Sequence, residues 1–409
     1  MRIAIDLQGF QSEGSRSRGI GRYTLSLIKS LLSNFPENEY ILVANGELYN
    51  PKRDFQDFIV NSRFKVTICY WYSPIPIREC TDDDAIRVSI AQLLRTYAFA
   101  NLNSDIIILT SFFEGYTDNC ITDFVDFFDI PPIACIFYDL IPLINRDLYL
   151  KKNPGFEKFY MAKINSLSNF HCLLSISESS AKEASKYLNI DKNNIFNISS
   201  AVDKNIFNSS GCNNKCEFGE FILYTGAGDP RKNLKNLLES YSSLDQNLMM
   251  KHNLILVGKL LATEKNMINI WIENLQIPKE NIKILGYISD SELAELYRSC
   301  YLFVFPSFHE GFGLPVLEAM SCGAAVIASN TTSIPEIINQ PNYMFDPFDV
   351  NDMTRLLKLA LINKQFYNNL KHNSKIQSSC FSWDLCAKNL ISAIDIVVKA
   401  NDNQIEAID

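Results

Sequence analysis

Short, uninterrupted apolar runs alternate with segments of helical periodicity along nearly the whole chain. Apolar runs of this kind are buried on both faces, which is typical of parallel strands joined by helical crossovers. In the first half we predict helices from Ile20 onward, over 84–102 and over 156–168. Strands are predicted at 2–7, 40–44, 65–71, 105–110, 133–137 and 171–175.

The pattern restarts after a polar, strand-poor segment at 211–219. Helices are predicted to begin near Asn233, Glu264, Asp290, Leu314 and Asn351, and a last helix over about 383–399 has no strand after it. A chain of 409 residues also favours two domains. We therefore predict two doubly wound, Rossmann-like α/β domains, 1–205 and 206–382. The second-half strands are predicted at 221–225, 253–257, 282–285, 301–305 and 324–328.

The composition excludes several classes of protein. Hydrophobic residues make up 47% of the chain and charged residues 21%, which excludes an intrinsically disordered protein. A net charge of −8 argues against a general nucleic-acid binder, so we predict no nucleic-acid partner. The cysteines are scattered, Asp6 interrupts the first apolar run, and no apolar stretch reaches about 18 residues. We predict a cytoplasmic protein with free thiols.

Two segments resemble metal sites only superficially. Cys212 and Cys216 have no second pair or nearby histidine, and the acidic run 82–84 follows Thr81 as a helix cap would. We predict no metal ion. Among the histidines, His309 beside Glu310 is the one with a place in a site, and the others are predicted to be structural: His171, His252 and His372.

The segment EGFGLPVLEAM at 310–320 carries the strongest signal. Its glycines and Pro315 predict a tight turn followed by a helix, whose free N–H groups form an anion site. Glu310 and Glu318 would bind hydroxyl groups beside that anion, such as a ribose diol and a sugar. Two other roles are equally open, namely Glu310 as a turn residue and Glu318 as a solvated helix position.

Three further segments carry candidate residues. Arg231 and Lys232 follow a strand and could neutralise a diphosphate leaving group, or they are solvated charges that open a helix. The loop 14–22 has glycines and three arginines, which favours a phosphate cradle over a solvated loop. Asp139 could orient a sugar or an acceptor, or it caps a turn toward Pro142.

The segment 310–329, EGFGLPVLEAMSCGAAVIAS, resembles glycosyltransferase family 4, whose members are retaining enzymes of GT-B fold. The segments 5–24, 137–143, 175–180, 226–233 and 381–390 are also similar to members that build bacterial surface polysaccharides. The resemblance covers essentially the whole chain. It implies two facing Rossmann-like domains, with a C-terminal helix at about 383–402 that joins the N-terminal domain.

The resemblance also implies roles for individual residues. The family's ribose-binding glutamate matches Glu318, its sugar-contacting glutamate matches Glu310, and its diphosphate lysine matches Lys232. Arg231 would replace an arginine whose usual place is taken by Ala227, and Tyr138 stands where the family has histidine. The remaining implied donor contacts are Gly19, Gly21, Gly226, Gly286, Tyr287, Ile288, Gly311, Phe312, Gly313 and Leu314, together with the turn after Gly258.

These observations predict a retaining, metal-independent glycosyltransferase without a cofactor. Its donor would be a nucleoside diphosphate sugar, with GDP-mannose favoured over a UDP-sugar. Its acceptor would be a glycan, a lipid-linked glycan or a protein, with peripheral contact at the inner membrane face. Two alternatives stay open, the second of them because of Ala227 and Tyr138. They are a sugar-nucleotide hydrolase or epimerase of the same fold, and a catalytically idle subunit that binds nucleotide sugar.

Overall fold

The computed structural model describes residues 1–77, 85–211, 218–226 and 228–406. The acidic run 82–84, the cysteine pair Cys212 and Cys216, and Ala227 lie outside the described residues. The chain divides into an N-terminal unit, Met1–Ser200 with Trp383–Asp409, and a C-terminal unit, Ala201–Ser382.

A parallel sheet of seven described strands forms the centre of the N-terminal unit, in the order β3-β2-β1-β4-β5-β6-β7. Its strands are β1 Arg2–Asp6, β2 Glu39–Asn45, β3 Lys65–Trp71, β4 Ile106–Leu109, β5 Ile133–Phe137, β6 Cys172–Ser175 and β7 Ile195–Asn197. The described helices up to this point are α1 Gln8–Gln11, α2 Gly19–Asn34, α3 Gln56–Val60, α4 Ala85–Ala100, α5 Ile141–Ile144, α6 Arg146–Tyr149, α7 Pro154–Ser166 and α8 Glu178–Tyr187.

The C-terminal unit repeats this plan with six described parallel strands in the order β10-β9-β8-β11-β12-β13. Its strands are β8 Phe221–Thr225, β9 Asn253–Val257, β10 Ile282–Gly286, β11 Leu302–Phe305, β12 Val326–Ser329 and β13 Met344–Phe345. Its helices are α9 Leu234–Ser242, α10 Gln246–Lys251, α11 Ala262–Asn274, α12 Asp290–Ser299, α13 Leu314–Ser321, α14 Ile334–Ile338, α15 Val350–Ile362 and α16 Lys364–Ser379.

The last helix, α17 (Trp383–Glu406), belongs to the N-terminal unit and packs on α2. The Trp383 ring meets the edge of the Tyr23 ring at 5.0 Å between centroids. The Ser30 hydroxyl donates a hydrogen bond of 2.8 Å to Asp384 Oδ1. An aromatic contact and a hydrogen bond therefore fix the start of α17 on α2.

The predicted doubly wound α/β class is confirmed, and so are the predicted strands within one or two residues at their ends. Two short strands were not predicted, β7 and β13, because three and two residues are too few to form a recognisable apolar run. The described cysteines are free thiols, as predicted.

Each sheet has one point where the strand order reverses, between β1 and β4 in the first unit and between β8 and β11 in the second. In open parallel sheets ligands bind beyond the carboxyl ends of the strands at such a switch point. The loops that follow these four strands are therefore where a site is expected. Lys232 and Glu310 lie in the loops after β8 and β11, whereas Asp139 follows β5, and Tyr287 and Ile288 follow β10.

Candidate active site

Arg231 and Lys232 lie in a tight turn after β8. The Asp229 carboxylate accepts a hydrogen bond of 2.9 Å from the Arg231 amide and begins a 3₁₀ turn over Pro230–Lys232. Asn233 then adopts a left-handed conformation, with φ of 58°, and α9 begins at the next residue. The two basic side chains therefore leave the chain from a fixed turn at the carboxyl end of the sheet.

Asn233 holds this turn against two other loops. Its buried amide group donates hydrogen bonds to the carbonyl oxygens of Pro306 at 3.0 Å and Pro347 at 2.9 Å. Pro306 directly follows β11, so one side chain joins the loops on both sides of the switch point. Sequence analysis missed this role, because nothing in the local pattern distinguishes Asn233 from an ordinary turn residue.

The loop after β11 leads into helix α13 as the glycines and the proline predict. Gly313 has φ of 104°, and a Cβ atom there would lie 2.4 Å from Ile334 Cδ1, so both backbone conformation and space require glycine. Pro315 lies in the first turn of α13. The first amide groups of the helix therefore form an anion-attracting end beside Gly311 and Phe312.

Glu310 is buried and binds both basic residues. Its Oε1 atom lies 2.7 Å from Lys232 Nζ, and its Oε2 atom lies 2.9 Å from Arg231 Nη1. Arg231 also donates to the His309 carbonyl, and its Nε lies 3.4 Å from the Asp229 carboxylate. The side chains of Lys232 and Arg231 are only 16% and 14% exposed, so the alternative that both are solvated charges is wrong.

The charges in this cluster shift one another's titration. Burial raises the pKa of Glu310, but the positive charges of Lys232 and Arg231 outweigh burial and bring that pKa to about 2. Burial lowers the pKa of Lys232, with Glu310 opposing the change. Glu310 is therefore a carboxylate at neutral pH. Its amide N–H, which donates to Thr332 Oγ1 at 3.0 Å, fixes the backbone that carries it.

Glu318 is 5% exposed in the second turn of α13, so the alternative of a solvated helix position is wrong. The Tyr297 hydroxyl donates a hydrogen bond of 3.2 Å to Glu318 Oε2. The same hydroxyl lies 3.4 Å from Thr225 Oγ1 at the end of β8. Tyr297 thus orients Glu318 from helix α12, a contact between residues too distant in sequence for pattern analysis to find.

The turns after β8, β9 and β10 lie at the same edge of the sheet, since all strands are parallel. The Gly226 amide donates to the Val257 carbonyl, and the Gly258 amide donates to the Gly286 carbonyl, each at 2.9 Å. Gly286 has φ of 73°, and the Tyr287 side chain after it is 78% exposed. The structure therefore brings the predicted contacts Gly226, Tyr287 and Ile288 to the edge that carries Lys232 and Glu310.

In the N-terminal unit, hydroxyl groups and carboxylates face each other at the switch point. Glu114 Oε1 accepts hydrogen bonds from Ser15 Oγ at 2.7 Å and Ser111 Oγ at 2.9 Å. Ser12 Oγ donates to Asp118 at 2.5 Å. Burial raises the pKa of Glu114. Sequence analysis missed Glu114, which follows β4 and fixes the loop predicted to hold phosphate.

The predicted phosphate loop has a structural reason for one of its glycines. A Cβ atom on Gly21 would lie 2.3 Å from the Arg16 carbonyl oxygen, so the start of α2 packs against the loop backbone. Gly19 has open space around it. The Arg16 guanidinium lies over the Tyr49 ring, 4.1 Å from its centroid.

Tyr138 and Asp139 follow β5. The Tyr138 hydroxyl donates 3.0 Å to the Thr110 carbonyl oxygen, and burial raises the pKa of this phenol well above its ordinary value. Asp139 Oδ1 accepts a hydrogen bond of 2.9 Å from the Ile141 amide. This contact matches the predicted alternative in which Asp139 caps a turn. A role of Asp139 in binding sugar stays a prediction.

The family comparison places these residues in a known context. Residues 209–377 match the family described as glycosyl transferases group 1. This match makes the C-terminal part of the chain similar to the group 1 glycosyl transferases. The matched segment contains Lys232, Glu310 and Glu318, together with the helix α13 that carries the predicted anion site.

Curated relatives of this chain include the serotype-specific mannosyltransferase WbdA of Escherichia coli, 36% identical over 94% of the chain and 46% of WbdA. The O-antigen chain mannosyltransferase B of Escherichia coli is 36% identical over 43% of the chain and 46% of that protein. The chain spans about half the length of the curated relatives it matches.

Solved structures confirm the fold of this chain. Anabaena Alr3699/HepE, crystallised with UDP and glucose, has a TM-score of 0.67 at 14% identity, covering 97% of the chain and 99% of that structure. Sucrose-phosphate synthase from Thermosynechococcus elongatus has a TM-score of 0.70 at 16% identity, covering 98% and 100%. The predicted GT-B fold is therefore correct.

The described residues show neither a metal-ion site nor a membrane-spanning helix. They hold no group of three or more His, Cys, Asp or Glu side chains placed to bind a metal ion. None of the described helices is long and apolar enough to cross a membrane. His309 is buried beside Glu310, and His171 Nδ1 accepts 3.1 Å from the Ile133 amide.

Proposed function

We propose that this chain transfers a sugar from a nucleoside diphosphate sugar to a growing glycan, with retention of the anomeric configuration. The observation that carries the proposal is the buried contact of Lys232 and Arg231 with Glu310, at the carboxyl edge of the sheet and beside the start of α13. Fixed cations and the positive end of a helix dipole at one edge suit a diphosphate.

Each donor group then has a partner at this edge. Lys232 and Arg231 bind the diphosphate together with the backbone of Gly311 to Leu314. Glu318, oriented by Tyr297, accepts hydrogen bonds from the ribose hydroxyls, and Glu310 accepts from the transferred sugar. Backbone groups at Gly286, Tyr287 and Ile288 contact the nucleobase.

The reaction needs no separate general base. The bond between the anomeric carbon and the diphosphate oxygen breaks, and the acceptor oxygen forms a new bond to the same face of that carbon. The acceptor proton passes to the departing diphosphate. Lys232 and Arg231 stabilise the charge that grows on the leaving oxygen, which lowers the barrier. We propose that the reaction requires no divalent metal.

The names of the relatives support mannose as the transferred sugar. WbdA and the O-antigen chain mannosyltransferase B are mannosyltransferases, and HepE was crystallised with UDP and glucose. We therefore propose GDP-mannose as the donor, with a UDP-sugar as the alternative. The acceptor would be a surface glycan or its lipid-linked precursor in bacteria, at the inner face of the membrane.

A transfer assay tests this function. The chain is incubated with GDP-mannose or UDP-glucose and a mannose oligosaccharide, with and without EDTA, and the products are separated by mass. Extended oligosaccharide from GDP-mannose, unchanged by EDTA, is expected. Free mannose without extension would indicate a hydrolase. A donor that binds but is not consumed would indicate an idle subunit. Loss of transfer in EDTA that manganese or magnesium restores would contradict the proposed metal independence.

A further inference from the structure

A cleft of about 630 Å³ lies in the C-terminal unit, away from the proposed donor site. Its walls come from the segment before β8, the ends of α12 and α13, and helix α16. The donor site is at the first residues of α13, whereas this cleft contacts the last ones and the turn after them. Its lining residues are Lys204, Phe207, Asn208, Ser209, Arg298, Met320, Ser321, Cys322, Gly323, Lys371, His372, Lys375, Ser378 and Ser379.

Positive charge dominates this lining. Lys204, Arg298, Lys371 and Lys375 reach it from three different elements, and no aspartate or glutamate is among the lining residues. Within the described part of the chain, none of these four cations lies within 4.0 Å of a carboxylate oxygen. Such an accumulation is unusual in a protein with a net charge of −8.

Two of the four have contacts within the fold, namely Arg298 and Lys371, whose Nζ lies 6.0 Å from the Tyr367 ring centroid. Arg298 lies in the last turn of α12, where a cation complements the helix dipole, and it donates 3.1 Å to the Asn208 carbonyl. Lys371 and Lys375 are four residues apart on one face of α16, where like charges destabilise a helix. The last turn of α16 contains no basic residue, so the dipole of that helix does not explain them.

The neutral groups of the cleft also suit an anion. The Ser321 hydroxyl is buried and makes no hydrogen bond within the described part of the chain, and Phe207 and Met320 supply an apolar surface. Cations, a hydroxyl group and an apolar wall together match a phosphate group attached to an organic body. The cleft volume exceeds what a bare phosphate ion fills.

We propose that this cleft binds a phosphate-bearing ligand through Lys204, Arg298, Lys371 and Lys375. The phosphate belongs either to a soluble phosphorylated compound or to an anionic lipid headgroup. Binding relieves the repulsion among the four cations. The site is independent of the proposed transfer reaction, because none of its residues belongs to the proposed donor site.

The test uses the full chain in two arms at constant ionic strength. In the first, inorganic pyrophosphate and glucose 6-phosphate are titrated by calorimetry. In the second, the chain is floated with vesicles of phosphatidylcholine alone or with about a third phosphatidylglycerol. The pocket variant is Lys371→Gln/Lys375→Gln. The matched control is Lys265→Gln/Lys364→Gln, which removes the same charge from exposed lysines outside the cleft.

We expect at least one arm to show binding that falls by about tenfold or more in the pocket variant and stays within about twofold in the control. Lys232→Gln separates this site from the donor site and is expected to retain the binding. Binding lost in Lys232→Gln but kept in the pocket variant would overturn the proposal. Equal loss in pocket variant and control, or no binding in either arm, would also overturn it.

Discussion

The two sheets reverse their strand order in the same way, but the carboxylates found there have different partners. At the switch point between β1 and β4, Glu114 and Asp118 accept hydrogen bonds from serine hydroxyls. At the switch point between β8 and β11, Lys232 and Arg231 surround one buried carboxylate. The fold therefore decides where a ligand binds, and the loop residues decide which chemistry it has.

The buried ion pairs of the two units differ as well. Asp6, at the end of β1, pairs with Arg95 at 2.8 Å, and both side chains are fully buried. The Arg95 guanidinium lies 4.7 and 4.5 Å from the ring centroids of Phe99 and Phe124. This pair is closed in by aromatic rings, which indicates a structural role. The pair of Lys232 and Glu310 is 16% and 9% exposed and lies beside helix amides.

The largest expected effect concerns the buried ion pair of Asp6 and Arg95. Arg95→Met leaves the Asp6 carboxylate buried without its cation, so we expect the free energy of unfolding to fall by about 3–5 kcal/mol. Denaturant titration measures it, with the exposed Arg87→Met on the same helix as control. Asp6→Asn combined with Arg95→Met should recover part of the loss. A change below about 1 kcal/mol would mean that the pair is not structural.

Removing Lys232, at the switch point between β8 and β11, should change catalysis rather than stability. Lys232→Ala is expected to lower kcat/KM by about 10²–10³, because a fixed donor to growing charge is lost. Arg231→Ala tests whether the arginine carries the larger share. Lys235→Ala, whose side chain is 59% exposed three residues later, should leave kcat/KM within about twofold. Severe loss in this control would contradict the assignment.

The C-terminal pair also predicts a dependence of stability on pH. The pKa of Glu310 falls from its ordinary value of 4.5 to about 2 on folding, so this carboxylate stabilises the fold above pH 4.5. That contribution is lost as pH falls from 4.5 toward about 2. Denaturant titrations across this range should show a smaller pH slope for Glu310→Gln than for wild type. Equal slopes would show that the ion pair contributes no pH dependence.

Substitutions of Glu318 and Glu310 should differ in their effect on binding of a nucleoside diphosphate. Glu318→Ala is expected to weaken binding of the bare nucleoside diphosphate by about tenfold to a hundredfold, the effect of a lost hydrogen bond to a charged group. Glu310→Ala removes the carboxylate that neutralises Lys232 and Arg231, so diphosphate binding should stay equal or strengthen while transfer slows. Calorimetry measures both, and equal losses would mean that the roles are wrongly divided.

The smallest expected effect is that of Tyr297→Phe, which deletes the hydroxyl that orients Glu318. We expect nucleotide affinity to fall by about fivefold, near the value of one hydrogen bond. Tyr241→Phe is the matched control, because this buried hydroxyl donates to the His252 carbonyl at 2.9 Å. Both variants should lose some thermal stability, but only Tyr297→Phe should change affinity. Unchanged affinity would limit Tyr297 to a packing role.

Sequence patterns predicted the fold well because most of the buried strands are contiguous apolar runs. The strand β5 was predicted with its observed limits, whereas β13 is two residues long and left no pattern. The observed strand order places the loops after β8 and β11 side by side. Sequence patterns did not predict that Lys232 would contact Glu310, because side-chain pairing across 78 positions depends on packing. Burial then decided between the open alternatives for Glu318.

The contact of Glu310 with both cations has a consequence for selectivity against small anions. A carboxylate within 3 Å of Lys232 Nζ and Arg231 Nη1 is an internal competitor for any anion that approaches them. Chloride or free phosphate must displace it and gains little else in return. A ligand that carries a diphosphate, a ribose and a sugar offers further contacts, among them hydroxyl groups for Glu310 itself. We therefore expect the Glu310 carboxylate to disfavour binding of small anions to these two cations.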